Sequence, residues 1–307
     1  MRPKIVVIGC LHTDFTVKVN TIPSIGESVL GKSFKRSQGG KGANQAIAAA
    51  RLGADVTLIG RVGADLFGEE LIKNLTENGI DIKYIIDDSE TYTVLALIMV
   101  DKNGDNILAV ASGADMRIQK EDIDRAKEII KSSDILLIQL EIPLHIVEYA
   151  INIAFNEGVK VLLNPAPAQK LSKDLLKKVF VLTLNKKEAE LLSNVKIKDL
   201  QSSKMSAKKL LENGTENIVL TLGKNGSILA TKKETIHING LNVNAIDTTG
   251  AGDAFCGALA VAMSSGKELK NAVIYANYVG ALATTKIGAQ EALPTKEELE
   301  NFIRQAF

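Results

Sequence analysis

The sequence predicts an α/β fold: a doubly wound, mostly parallel sheet flanked by helices, carrying a small antiparallel β lid. Three observations point to it. Short runs rich in Val, Ile and Leu recur along the chain (KIVVIGC, DVTLIG, DILLIQL, KVLLNPA, VFVLTLN and NIVLTLG), apolar at successive positions as strands covered on both faces require. Helical spacing fills the gaps between them, and repeated strand, helix, strand order means a parallel layer wound on both sides. Two segments, 14–36 and 91–112, break the rhythm and alternate without a helix.

In chain order, KIVVIGC at the N-terminus is the first strand, and residues 14–36 form the first lid piece. DVTLIG is followed by Phe67, Leu71 and Leu75 at helical spacing. Residues 91–112 read as two strands around Asn103-Gly104, a dipeptide that readily takes the positive φ of a tight hairpin. Ile123, Ala126 and Ile130 precede DILLIQL, and Val147, Ile151 and Ala154 follow an entry proline at Pro143. The remaining strands lead to Gly250, Ala251 and Gly252, after which Ala254, Phe255, Ala258, Leu259 and Ala262 keep helical spacing. The whole, residues 1–307, reads as a single domain with lid segments 14–36 and 91–112. A hairpin of that size cannot bury its own apolar face, for which Val94, Leu95, Leu97 and Ile98 are candidates. It either closes over a ligand or a second copy, or lies flat as decoration.

Composition excludes several classes. Lys plus Arg number 37 against 36 Asp plus Glu, a formal charge of +1, and basic residues such as Lys208 and Lys209 stand among acids, so no nucleic-acid partner is implied. No run of 18 uncharged apolar residues occurs and the apolar stretch near the N-terminus lacks a cleavage site, so no membrane partner is expected. Two cysteines, Cys10 and Cys256, sit in apolar patterns and read as free thiols of a reducing compartment. A cytoplasmic protein is expected.

One motif misleads. GESVLGKS at 26–33 matches G-x-x-x-x-G-K-[ST], yet that loop works only between a buried strand and a helix, and here VNTIPSI precedes it and FKRSQGG follows. Lys32 reads instead as an exposed charge on a lid strand, discouraging edge pairing.

The turn at 250–252 is more informative. Residues without bulk at the mouth of a helix present unpaired backbone N–H groups and the positive end of the helix dipole, which attract an anion such as phosphate. Asp253 in the first helical turn reads either as a cap or as a general base that takes the proton of a substrate hydroxyl attacking a phosphoryl group. The flanking glycines and the preceding Asp-Thr-Thr favour the base. Asp247, Thr248 and Thr249 are hard oxygen donors that either bind a cation or fix the turn.

These residues resemble a known family. DTTGAGDAF at 247–255 is similar to the C-terminal signature of the ribokinase-like carbohydrate kinases, and GGKGANQA at 39–46 to their N-terminal one. QLEIPL at 139–144, LNPAPA at 163–168 and KIGAQ at 286–290 follow in the family's order, so the resemblance covers essentially the whole chain. It implies ATP-dependent phosphorylation of the 5-hydroxyl of D-ribose, with a nucleoside, deoxyribose or another sugar as the alternative acceptor, and a non-catalytic sugar or nucleotide sensor as the alternative of another class. Asp253 is then the base and Gly250, Ala251 and Gly252 the anion hole. Sugar hydroxyls meet His12, Asp14, Gly40, Lys41, Gly42, Asn44 and Glu141. ATP meets Asn185, Glu188, Thr221, Gly223, Gly226, Gly252 and Asn277, with Mg2+ reached from Asn185 and Glu188 through water. A monovalent cation, K+, is held by Asp247, Thr249, Ala283, Lys286, Gly288 and Ala292. The resemblance also implies a homodimer formed through the lid.

Three departures stand out: His12 and Asp115 where the family usually carries asparagine, and Leu184 where proline usually precedes N-x-x-E. Ala292 also lacks the hydroxyl some relatives offer the cation. Histidine is bulkier than asparagine and titrates, and it reads equally as a sugar contact or as a structural residue.

Overall fold

A computed structural model describes residues 2–306 of the chain. In order, β1 (Lys4–Ile8), β2 (His12–Lys18) and β3 (Ser33–Gly39) lead into α1 (Lys41–Arg51), then β4 (Asp55–Gly63), α2 (Leu66–Glu77) and β5 (Asp81–Asp88). β6 (Val94–Val100) and β7 (Asn106–Ala111) precede α3 (Lys120–Arg125), α4 (Lys127–Lys131), β8 (Ile135–Ile138), α5 (Leu144–Asn156) and β9 (Lys160–Leu163). The chain continues through α6 (Lys173–Leu176), β10 (Val181–Leu184), α7 (Lys186–Ser193), α8 (Leu200–Leu211), β11 (Asn217–Thr221), β12 (Ser227–Thr231) and β13 (Thr235–Ile238). It closes with α9 (Ala251–Ser264), α10 (Leu269–Ala283) and α11 (Lys296–Ala306).

Nine strands form one sheet in the order β13-β12-β11-β10-β9-β8-β1-β4-β5, parallel except at the β12–β13 edge. Along β1, Ile5 and Val7 enter the apolar core on one face of the sheet while Val6 and Ile8 enter the core on the other. That is why KIVVI is apolar at every position rather than at alternate ones. Every run singled out in the sequence is a strand of this sheet. β5, β12 and β13 were not anticipated: β5 is partly exposed along most of its length and reads as polar, and β12 and β13 join the edge as an antiparallel hairpin.

The order reverses at β1, which pairs with β4 on one side and β8 on the other. A crevice opens beyond the strand ends at such a reversal, because successive connections leave in opposite directions. Into it run the residues after β1 and β8.

The small sheet has the order β3-β2-β6-β7. Each hairpin pair is antiparallel, as expected, but the two pairs meet through a parallel β2–β6 ladder from His12–Val94 to Lys18–Val100. Its first pair, β2 and β3, begins at His12 and ends at Gly39, two residues earlier and three later than the expected segment. Val94 is buried against the body, whereas Leu97 is 57% exposed, as are Leu108 and Phe34 at 59% and 61%. The Gly26–Ser33 loop has neither a preceding buried strand nor a following helix, which confirms that it is no phosphate loop. Lys32 is exposed but lies one residue before β3 rather than on it. Lys35 on β3 pairs with Glu291 at 2.8 Å, tying this sheet to the loop after α10.

α9 is buried from Asp253 to Met263, apolar all round as a central helix should be. It packs between α1 and α10. The α1 crossing is unusually close: a Cβ on Gly257 would lie 2.7 Å from Cβ of Ala48 and 2.8 Å from the carbonyl oxygen of Gln45. Only glycine fits there, and the approach brings Asn44 and Gln45 within reach of Asp253. Both cysteines are free and buried.

Candidate active site

The first turn of α9 is built as the sequence predicts. Gly250 has φ +75, a left-handed conformation that glycine adopts without steric cost, and no side chain caps the helix. A Cβ on Gly252 would meet nothing within 4 Å, so the turn borders open space, although the Ala251 amide itself donates to the carbonyl of Thr248 at 3.2 Å. That space is a cavity of about 790 Å³, a volume suited to a nucleotide.

Asp253 lines this cavity and is 6% exposed. Oδ2 accepts from Nδ2 of Asn44 at 2.9 Å and Oδ1 from Nε2 of Gln45 at 2.9 Å. These are side-chain amides, not the backbone amides a capping residue would engage. A carboxylate offers about four lone-pair sites, so two remain for a substrate hydroxyl. Burial pushes the Asp253 carboxyl above the usual range, opposed by Lys41 and by the two amides. Lys41 in turn is raised, chiefly by Asp253, and stays charged.

Gln45 was not singled out from the sequence. It also donates to Oδ1 of Asn164 at 3.1 Å and accepts from Gln139 at 2.7 Å, while Asn44 accepts from Gln290 at 3.0 Å. The available signal was a glutamine beside Asn44 in a run of small residues entering a buried helix, where a polar side chain must find partners.

Residues expected at the sugar gather in the crevice between β1, β8 and the small sheet. The backbone N–H of Lys41 donates to Oε2 of Glu141 at 3.0 Å. Gly40 and Gly42 flank Lys41 at the start of α1, with Gly40 at φ +91. Asp14 on β2 lies beside Gly39, whose missing Cβ would fall 2.3 Å from Oδ2 of Asp14. Burial, then Glu141 and Glu291, push the Asp14 carboxyl up to about 6. Nε2 of His12 stands 3.7 Å from Asp115 and 3.9 Å from Glu141, so two of the departures from the family pattern face one another. Burial lowers His12, leaving a neutral imidazole at pH 7, and pushes the Asp115 carboxyl well up.

Asn185, Glu188, Thr221, Gly223, Gly226, Gly252 and Asn277 all line the large cavity, as do Lys41 and Thr248. Asn277 donates to Oγ of Ser227 at 3.1 Å. Lys186 and Lys224, not expected from the sequence, add positive charge at its rim. Asn185 and Glu188 form a capping box: Oδ1 of Asn185 accepts from the Glu188 amide at 3.0 Å and Oε2 of Glu188 from the Asn185 amide at 2.8 Å. Their oxygens are committed to opening α7, which fits contact with Mg2+ through water better than direct ligation.

Of the six residues expected at a monovalent cation, Asp247, Thr249 and Gly288 are joined by hydrogen bonds, and Ala283 stands next in the chain to Thr284, which bonds the same turn. Oδ1 of Asp247 accepts from the amide and hydroxyl of Thr249 at 2.9 and 2.7 Å, and Oδ2 from the Gly288 amide at 2.9 Å. Despite partial burial, these donors hold Asp247 below the usual range. The amides of Ile246 and Asp247 donate to the carbonyl of Thr284, beside Ala283. The Lys286 ammonium is taken up by Glu298, and Ala292 is buried. One carboxylate among hydroxyl and carbonyl oxygens is a low-charge, hard donor set, compatible with K+. The same bonds also fix the turn.

The sequence pattern of the pfkB family carbohydrate kinases matches residues 2–296. The chain belongs to this family. Among relatives, this pfkB-family chain is 39% identical over 306 residues to a ribokinase of Haemophilus influenzae, covering 100% of each. It is 34% identical to a deoxyribokinase of Salmonella typhi, covering 97% of the chain and 98% of the relative. The structure of an Arabidopsis thaliana ribokinase with ribose and ATP superimposes with a TM-score of 0.91 at 27% identity, covering 99% of both chains. The pfkB-family fold, a large mostly parallel sheet with a small one beside it, is thus the one observed here.

Proposed function

We propose that this chain phosphorylates the 5-hydroxyl of D-ribose with ATP, yielding ribose 5-phosphate and ADP. The observation that carries this reading is the buried carboxylate of Asp253 in the first turn of α9, lining the same cavity as Gly250, Ala251 and Gly252. Full-length likeness to ribokinases supports the choice of sugar.

In the reaction, Asp253 accepts the proton of the attacking hydroxyl, and Asn44 and Gln45 fix both its oxygens beforehand. The amides around Gly250, Ala251 and Gly252 stabilise the negative charge that grows on the transferred phosphoryl group. Lys41 lines the cavity and holds positive charge near Asp253. Asp14 and Glu141 accept sugar hydroxyls and orient the acceptor. Mg2+, when bound, neutralises phosphate charge, and Asn185 and Glu188 would hold its water shell. Asp247, Thr249 and the carbonyls of Ala283, Lys286, Gly288 and Ala292 would hold K+ beside the anion hole. The small sheet acts as a lid that excludes water from the poised base. A second copy of the chain covers its exposed apolar residues, giving a homodimer. The free thiols and the use of ATP fit a cytoplasmic setting.

The deciding experiment is a panel of ribose, deoxyribose, adenosine and other sugars with ATP and Mg2+, in KCl and in NaCl. Ribose should give the highest kcat/KM, and faster turnover in KCl supports the cation site. Preference for deoxyribose or a nucleoside would move the assignment to those acceptors. Binding of sugar without any ADP release would leave only a sensor.

A further inference from the structure

The turns after β1 and β8 bring a thiol, an imidazole and a carboxylate together. Sγ of Cys10, a ring nitrogen of His12 and an oxygen of Glu141 lie within 4.8 Å of one another, and among the described residues no other three His, Cys, Asp or Glu side chains do so. The thiol donates to Oε2 of Glu141, and Nε2 of His12 stands 3.9 Å from the same oxygen. Asp115 adds a second carboxylate 3.7 Å from Nε2. A sugar subsite needs hydroxyl donors and acceptors and has no use for a thiol. Thiolate, imidazole and carboxylate together form a donor set for a borderline-soft divalent cation.

We propose that Cys10, His12 and Glu141 bind zinc, or a similar thiophilic divalent cation, and that the filled site competes with the sugar. The competition half rests on the acceptor crevice being the sugar site. On binding, the S–H bond of Cys10 breaks, its proton passes to solvent and a sulfur–metal bond forms, with no change of oxidation state. Three protein ligands leave further positions to water on the crevice side. Glu141 and His12 are among the groups expected to orient the sugar, and an oxygen drawn to the ion is lost to a hydroxyl. A sulfur ligand beside an imidazole favours a borderline-soft ion, which selects zinc over magnesium. An asparagine at position 12, usual in the family, would remove the imidazole, so the site belongs to this chain's own departure from the pattern.

Cobalt(II) is the probe, because a coordinated thiolate gives it a charge-transfer band in the near ultraviolet. Titrating the purified chain with cobalt chloride, without nucleotide, should produce this band with saturation at one ion per chain, and zinc should abolish it. Cys10→Ser should lack the band while Cys256→Ser keeps it. No band in the wild type, or a band surviving in Cys10→Ser, overturns the site. In a turnover assay at fixed free Mg2+, zinc should raise KM for ribose several-fold without lowering kcat, and Cys10→Ser should be insensitive. Inhibition that ribose does not relieve overturns the competition. The cobalt band needs no turnover, so its failure and failure of the kinase reading are distinguishable.

Discussion

Nε2 of Gln45 lies 2.9 Å from Oδ1 of Asp253, a bond between the first turn of α1 and the first turn of α9. It exists because Gly257 lets the two helices touch. The Asp253 carboxylate is thus aimed by a residue 208 positions away in sequence. Asp253→Asn should lower kcat by about 10²–10⁴ while calorimetric ribose affinity changes little, since the amide keeps the shape but takes no proton. Gln45→Leu should move the acid limb of the kcat profile to higher pH, because a donor to the charged carboxylate is lost. An unmoved limb would remove Gln45 from this role.

Asp14 should govern sugar affinity in mild acid. Its carboxyl is pushed up to about 6 by burial and by Glu141 and Glu291, so below that pH it carries a proton and loses acceptor capacity. KM for ribose should rise as pH falls through about 6, and Asp14→Asn should flatten the change. The linkage to folding has the opposite sense. Between its ordinary value of 3.8 and about 6 the native state holds more protons at Asp14 than the unfolded chain does. This group's contribution to native stability is therefore fully present below that window and lost as pH rises through it.

Gly250 and Gly252 should fail differently. Gly250→Ala places a side chain at φ +75, 3.1 Å from Cα of Ala289, and should cost about 1–2 kcal/mol of stability from backbone strain. Gly252→Ala meets open space in the folded chain and should leave the melting temperature nearly unchanged while raising KM for ATP. Thermal melts beside nucleotide kinetics separate the two effects.

Arg61 should be a stability residue. Its guanidinium bonds Asp122 at 2.7 and 3.0 Å and Asp88 at 2.9 Å, all three side chains being buried. Arg61→Met leaves buried Asp122 without a cation, whereas Asp88 keeps Arg117 at 2.9 Å, and should destabilise by about 3 kcal/mol in denaturant unfolding. A loss below about 1 kcal/mol would show that the acids find other partners.

The small sheet should carry the dimer contact. Sedimentation at micromolar concentration should give a dimer, and Leu97→Glu or Leu108→Glu should shift it to monomer. Unchanged sedimentation in both variants would place the contact elsewhere.

How much of this was legible in the sequence depended on whether the signal was local. The strand runs, the helix after Gly250 and the hairpin around Asn103-Gly104 are each written within a few residues, and each is observed. The pairing of β2 with β6 was not legible, because its partners are about 80 residues apart and neither strand's pattern records a parallel neighbour. The seven residues expected at the nucleotide do line one cavity, yet Gln45, Lys186 and Lys224 were missed. A glutamine's partners depend on which helices touch, and a surface lysine looks the same wherever it points. Asn185 and Glu188 show the converse, since one short motif opens a helix and faces the cavity at once.

The contact between Lys35 and Glu291 has a consequence for movement. It pins the β3 margin of the small sheet to the loop that also presents Gly288, whereas β7 at the opposite margin is exposed at every residue. With Arg36 also paired to Glu70 at 2.9 Å, the β3 margin is the anchored side of the sheet and β7 the free one, like a page bound along its spine.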